Sequence, residues 1–363
     1  MSLLKSIDFL LESADEPIRY RVLREFVKDE RAAKEIEVEF LENAVVALWL
    51  KNLKPETPPQ HHSMEHGSFD FCLENALLKA VQLGLHGRLP QMVNAVQYYI
   101  DKIETATTDG ANRSNTLGII ENLLTLADVN HAVLRKNMLA SLDELYNFVC
   151  MGNYDIYISD AEREKLKAVP AIWKNRNFIN RSLVEKYGYC YPLIYDIVGL
   201  HKLNGTISAE TDKKINAVIE YISTDEFHNK ISDGYGILIA GDKKYYSMGW
   251  DPKYPGWFDV VHYMENVNAP KLLFFAQYIS RYPLARKTKW FSDLLEYLEK
   301  YRSSHDIYAF PAEWLKEKQG YAVQGNHISF GENRRKKNWR EIESTFYMLI
   351  LNNDSNLANG GNA

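Results

Sequence analysis

The stretch LLKSIDFLLESADEPIRYRVLREFV, residues 3–27, decides the fold class. Leu4, Ile7 and Leu11 recur at three- and four-residue spacing, the period of one helix face. Ser13 and Asp15 then offer N-caps, and Pro17 falls in the following first turn, where its missing N–H costs nothing. Ile18, Val22, Leu23 and Phe26 share a face of that second helix. The pattern repeats. Arg31–Leu53 reads as one long helix ended by Pro55, and Phe71–Leu85, Pro90–Ile103, Ser114–Ala127 and Val133–Val149 follow. Gly87, Pro90, Gly110 and Gly152 punctuate the joints. Helix pairs recur about every 40 residues, the period of stacked hairpins that bury their apolar faces only against neighbours.

The second half is less regular. Asn180–Lys202 and Ala209–Ile222 keep helical spacing. Gly236–Tyr246 (GILIAGDKKYY) instead alternates around Gly241-Asp242, the signature of a two-residue turn between antiparallel strands. Helices resume at Lys271–Ser280, Thr288–Tyr301 and Ile342–Leu351, between long loops rich in Trp, Tyr, Gly and Pro. Loops of that length usually carry binding or catalysis. No Pro/Gly/Ser-rich linker divides the chain, so residues 1–351 are expected to form one domain and 352–363 a disordered tail.

Composition narrows the function classes. Hydrophobic residues at 46% and charged residues at 25% are ordinary globular values. A net charge of −5 argues against a nucleic-acid or anionic-membrane partner. No run of about 18 apolar residues occurs, so no membrane span is expected. Asp8 and Glu12 interrupt the opening apolar stretch, so it is not expected to be a signal peptide. With three cysteines, Cys72, Cys150 and Cys190, reduced thiols and a cytoplasmic location are the expectation. Tyr at 23 exceeds Phe at 15, which suits a wet, partly polar cavity, because each buried hydroxyl needs a partner.

Three segments carry a resemblance: SADEPIRYRVLREFV (13–27), HGSFDFCLENALLKAVQLGL (66–85) and ENRRKKNWREIESTFYML (332–349). Their texture resembles bacterial proteins related to squalene cyclases and prenyltransferases, of the terpenoid cyclase superfamily. That resemblance implies an all-α fold, a single α/α toroid of inner and outer helical rings. Its central cavity would open at the N-terminal ends of the inner helices. The acidic motifs DxDD and DDxxD of the cyclases and synthases do not occur, and Asp70-Phe71-Cys72 has only the D-x-C spacing of zinc-holding prenyltransferases. The fold is therefore expected to carry over, and the reaction is left unassigned.

Candidate chemistry falls in three places. His62 and His66 are four apart and, with Cys72, form a weak zinc candidate; no cofactor is otherwise expected. His66 and Asp70 also read as an acid–base pair at the mouth of the cavity. Between residues 245 and 262, Tyr245, Tyr246, Trp250 and Trp257 precede Asp259 and His262, with Asp251 between them. The rings are expected to wall a small apolar or sugar-like ligand, and Asp259 and His262, three apart, to meet on one helical turn. In the third place, Arg334 and Arg335 open a run of four cations before a helix and offer a bidentate grip on an anionic head. Two alternatives to a terpenoid-like enzyme stay open: a carbohydrate-active toroid acting as lyase, epimerase or hydrolase, and a non-catalytic HEAT-like scaffold binding a ligand or protein. The oligomeric state is not fixed by the sequence.

Overall fold

The structure, a computed structural model, describes residues 3–53, 67–108, 115–183, 191–303 and 306–353. Helix makes up 61% of it and strand 6%. The chain opens with α1 (Leu3–Ser13), α2 (Glu16–Arg21), which continues as a π-helical turn over Val22–Val27, and the short α3 (Glu30–Glu35) and α4 (Glu37–Glu42). Then come α5 (Ala44–Leu53), α6 (Leu73–Leu83), α7 (Pro90–Thr108), α8 (Asn115–Leu126), α9 (Ala132–Val149) and α10 (Asp160–Arg163). After β1 (Phe178–Ile179) follow α11 (Ile194–Leu200), α12 (Ala209–Ile222), α13 (Asp225–Lys230), β2 (Tyr235–Gly241) and β3 (Lys244–Trp250). The last helices are α14 (Val260–Tyr263), α15 (Ala269–Ile279), α16 (Pro283–Arg286), α17 (Lys289–Leu298) and α18 (Trp339–Leu351).

Two kinds of helix alternate. In α7, Met92, Ala95, Val96, Tyr99, Ile100 and Ile103 form one buried stripe, and α9 buries Leu134, Met138, Leu142, Leu145 and Val149 in the same way. By contrast α6, α11 and α15 are buried almost all round, as is α18 from Ile342 onward. These buried helices pack in series: α2 on α6, α6 on α8, α8 on α11, α11 on α15 and α15 on α18. The one-faced helices pack in a second series, α5 on α7, α7 on α9, α9 on α12 and α12 on α16. Helix α1 packs on α18, so the first and last described helices meet. Each fully buried Leu, Ile or Phe of this core contributes roughly 1.5–3 kcal/mol. Helices α8 and α11 approach closely: a Cβ on Gly199 would lie 2.5 Å from Asn122 Oδ1 and 3.0 Å from its carbonyl oxygen, so glycine is needed there. Asn122 Nδ2 donates to Asp196 Oδ1 there at 2.8 Å.

Local boundaries differ from expectation in three places. Arg31–Leu53 is not one helix: Ile36 leaves the helical region (φ −97°, ψ 1°), and Asn43 turns extended and accepts from Val45 N at 3.0 Å, capping α5. The span Asn180–Lys202 holds Pro192, which disfavours helix just before it, and α11 begins only at Ile194. The hairpin turn sits one residue on, at Asp242-Lys243, where Lys243 takes φ 58° and Gly241 pairs with Lys244. β1 adds a parallel third strand through Phe178 and Ile237.

The middle of the buried helices is filled. The connection from α17 to α18 sends residues 320–331 between α6 and α18. Asn75 Nδ2 donates to Gly320 O at 3.1 Å, and Lys79 Nζ donates to His327 O at 3.0 Å. Tyr347 Oη donates to Ile328 O at 2.7 Å, and Gln82 Nε2 donates to the same carbonyl. Lys79 is 1% exposed, and its charge is met by Glu317 at 2.7 Å.

Candidate functional site

Of the residues expected to line a hollow, most are engaged in packing. Tyr245 is buried and donates to Lys167 O at 2.7 Å, while Tyr246 on the opposite strand face is exposed. Trp250 packs edge-on against Tyr235 and Tyr321. Trp257 stacks on His228 at 4.3 Å and donates its indole N–H to Asp225 at 2.7 Å. Asp259 caps α14, accepting from His262 N at 2.8 Å. Its carboxylate therefore meets the backbone of His262, and the imidazole points to Asn266. Asp251 is deeply placed beside Tyr191; burial and then Asp233 push its pKa well up, and its Oδ2 has no hydrogen-bond partner.

Asp70 Oδ1 lies 3.5 Å from His327 Nε2, so the described imidazole near it is His327. His62 and His66 lie outside the described residues. Burial pushes the Cys72 thiol up to about 11, and its Sγ donates to Gly67 O at 3.1 Å. Among the described residues no three His, Cys, Asp or Glu side chains are grouped to hold a metal. Arg334 lies over Trp339 at 4.0 Å and pairs with buried Glu343 at 3.4 Å; Arg335 is exposed. No described helix is long and apolar enough to cross a membrane.

A cavity of about 230 Å³ lies elsewhere, at the C-terminal ends of the buried helices. The π-helical end of α2 supplies Arg21, Arg24, Glu25 and Lys28; the end of α6 supplies Gln82, His86 and Arg88. Asp128 follows α8, His201 and Lys202 follow α11, Gln277 and Arg281 close α15, and Asn353 follows α18. The resemblance placed the mouth at the opposite, N-terminal ends, and none of the four wall aromatics lines this cavity.

Six cations face two carboxylates here. Helix C-termini each carry about −0.5 charge, so converging ends attract cations on their own account. Two arginines serve that need directly: Arg21 Nη1 donates to Gln82 O at 2.8 Å and Arg24 Nη1 to Gly84 O at 3.1 Å. The carboxylates are spoken for as well. Glu25 receives Arg21 and Arg24 at 2.9 and 2.8 Å, and Asp128 faces Arg88 at 3.9 Å. Burial works against the Glu25 carboxylate, but the two arginines outweigh it and hold its pKa far below the usual range.

That leaves Lys28, Lys202 and Arg281 with no ion pair to a described residue. Burial lowers the Arg281 pKa, with Glu25 opposing and Arg21 adding, and its buried Nε has no partner. Burial likewise lowers Lys202, with Asp128 opposing it and Arg281 adding. Gln277, 4% exposed, has an unpartnered Nε2. His201 is pushed well below its ordinary value by burial and then by Arg281 and Lys202, so the ring is neutral at physiological pH. Its Nδ1 donates to Val198 O at 2.7 Å, which leaves Nε2 as an acceptor.

The sequence does contain a signal for this cluster, since the ends of α2, α6, α11 and α15 each carry a cation in or within a few residues of the last turn. Read singly, each is an ordinary complement to a helix dipole. Only the three-dimensional meeting of six ends separates the surplus from the caps. No protein-family model, curated protein or solved structure matches this chain.

Proposed function

We propose that this chain is a closed α/α toroid that binds a small anionic molecule in the cavity at the C-terminal ends of its inner helices. The pairing of α1 with α18 and the two packing series support the ring. The observation that carries the ligand class is a partly buried surplus of positive charge: Lys202 and Arg281 lose hydration, form no ion pair with a described residue although Asp128 and Glu25 lie near enough to oppose the loss, and line a space able to hold an anion. Leaving a buried charge unpaired is costly, and a bound anion recovers that cost. An enzymatic role on this scaffold, as lyase, isomerase or cyclase, is the extension we favour, with neutral His201 as the proton acceptor in the cavity.

Thermal unfolding in sodium phosphate, citrate, glucose and spermidine tests the reading. Phosphate or citrate raises Tm in the wild type, glucose and spermidine do not, and Lys202→Met removes the gain. Stabilisation by glucose or spermidine alone would overturn it.

A further inference from the structure

The polar groups left over in the cavity describe the ligand more closely. The geometry points to a phosphate monoester of a hydroxylated skeleton, a sugar phosphate in chemical class, an inference that rests on the anion reading above. Lys202 and Arg281, neither ion-paired to a described residue, put two positive charges around one cavity, and the exposed Lys28 adds a third at its edge. A monoester phosphate carries about −1.5 to −2 at neutral pH and three acceptor oxygens, a better match than a single carboxylate. Arg281 Nε and Gln277 Nε2 are donors without acceptors, both buried, and phosphoryl oxygens complete them.

The fourth group is different in kind. With Nδ1 fixed on Val198 O, His201 offers only an acceptor, which a fully ionised phosphate cannot satisfy. A hydroxyl on the carbon skeleton can. The lining holds no serine, threonine or cysteine, and its one side-chain hydroxyl, that of Tyr278, is kept protonated by burial, so the ester meets no activated nucleophile there. About 230 Å³ leaves room for a skeleton beyond the phosphoryl group.

Calorimetric titration at pH 7.5 with inorganic phosphate, citrate, glucose and glucose 6-phosphate tests this. Glucose 6-phosphate binds at least tenfold more tightly than inorganic phosphate or citrate, and glucose does not bind. Arg281→Gln weakens both phosphates at least tenfold. His201→Phe lowers glucose 6-phosphate affinity to that of inorganic phosphate and leaves inorganic phosphate within twofold. Equal affinities for the ester and for inorganic phosphate, or tighter citrate, would overturn the inference while the anion reading stands. Binding of none of the anions overturns both. Both variants are checked by urea unfolding, where loss of the unpaired Arg281 charge leaves stability unchanged or higher.

Discussion

Arg21 holds Glu25 at two points, Nε and Nη2 each 2.9 Å from a carboxylate oxygen, across one turn of the helix whose end faces the cavity. The same guanidinium lies 4.9 Å over the Phe346 ring of α18, so the pair also joins the two ends of the chain.

Removing the carboxylate leaves two arginines unbalanced in a site already rich in cations. Glu25→Gln lowers unfolding free energy by about 3 kcal/mol at pH 7. The folded pKa of Glu25 is depressed, so its contribution is complete above the unfolded carboxylate range near 4.5 and fades as pH falls below it. Urea titrations of the two proteins should therefore converge progressively under acid conditions; a difference independent of pH would contradict the assignment.

Glu343 has the opposite sign. It is fully buried in α18, accepts from Phe330 N at 3.2 Å, and burial raises its pKa to about 7 despite Arg334 and Lys79. The unfolded chain ionises first, so this group's share of stability is present below about pH 4.5 and is lost as pH rises toward 7. The loss amounts to about 3 kcal/mol, from roughly 1.4 kcal/mol per pKa unit. Glu343→Gln keeps the acceptor and removes the decline, which paired urea titrations at pH 5 and 8 will read.

Lys79 is the anchor of the central segment. Lys79→Met takes the counter-ion from Glu317, which keeps its bonds from Ser329, and the donor from two carbonyls, and lowers stability by about 3 kcal/mol. The double variant Lys79→Met/Glu317→Gln recovers part of that loss, because the stranded carboxylate is gone. A double variant no more stable than the single one would place the energy elsewhere.

Gly325 sits at φ 81°, and a Cβ there would lie 2.3 Å from Lys271 N at the start of α15. Gly325→Ala is expected to cost more than about 2 kcal/mol, through backbone that has no freedom to move. Differential scanning calorimetry gives the comparison; Gly205→Ala, at φ 70° with open space around it, is the control for strain without the clash.

Helices were readable wherever one face stays wet. Ala209–Ile222 has the bounds read from its spacing, because Ser208 caps it and Ile215, Val218, Ile219 and Ile222 mark one side. Segments buried all round lose that contrast, and α11, with seven buried residues in a row, gives no face whose start could be read. Breaks set by one side chain were equally hidden: nothing in composition tells Asn43 as a cap from Asn43 inside a long helix. The site was harder still. The spacing of Asp259 and His262 points to a side-chain pair, whereas the bond formed, from His262 N, is that of a cap. Arg21 and Arg281 are 260 positions apart, and no spacing rule joins them.

The central segment gives assembly a direction. Lys79 finds its partners about 250 positions downstream, at His327 and Ser329, so during synthesis it must wait in water until almost the whole chain has emerged. Early helices can pair locally, yet the hub they surround is delivered last. Refolding should accordingly show a slow final phase in which the buried ammonium and the late loop lock together, and a chain lacking that loop should remain a loose, protease-sensitive set of helices.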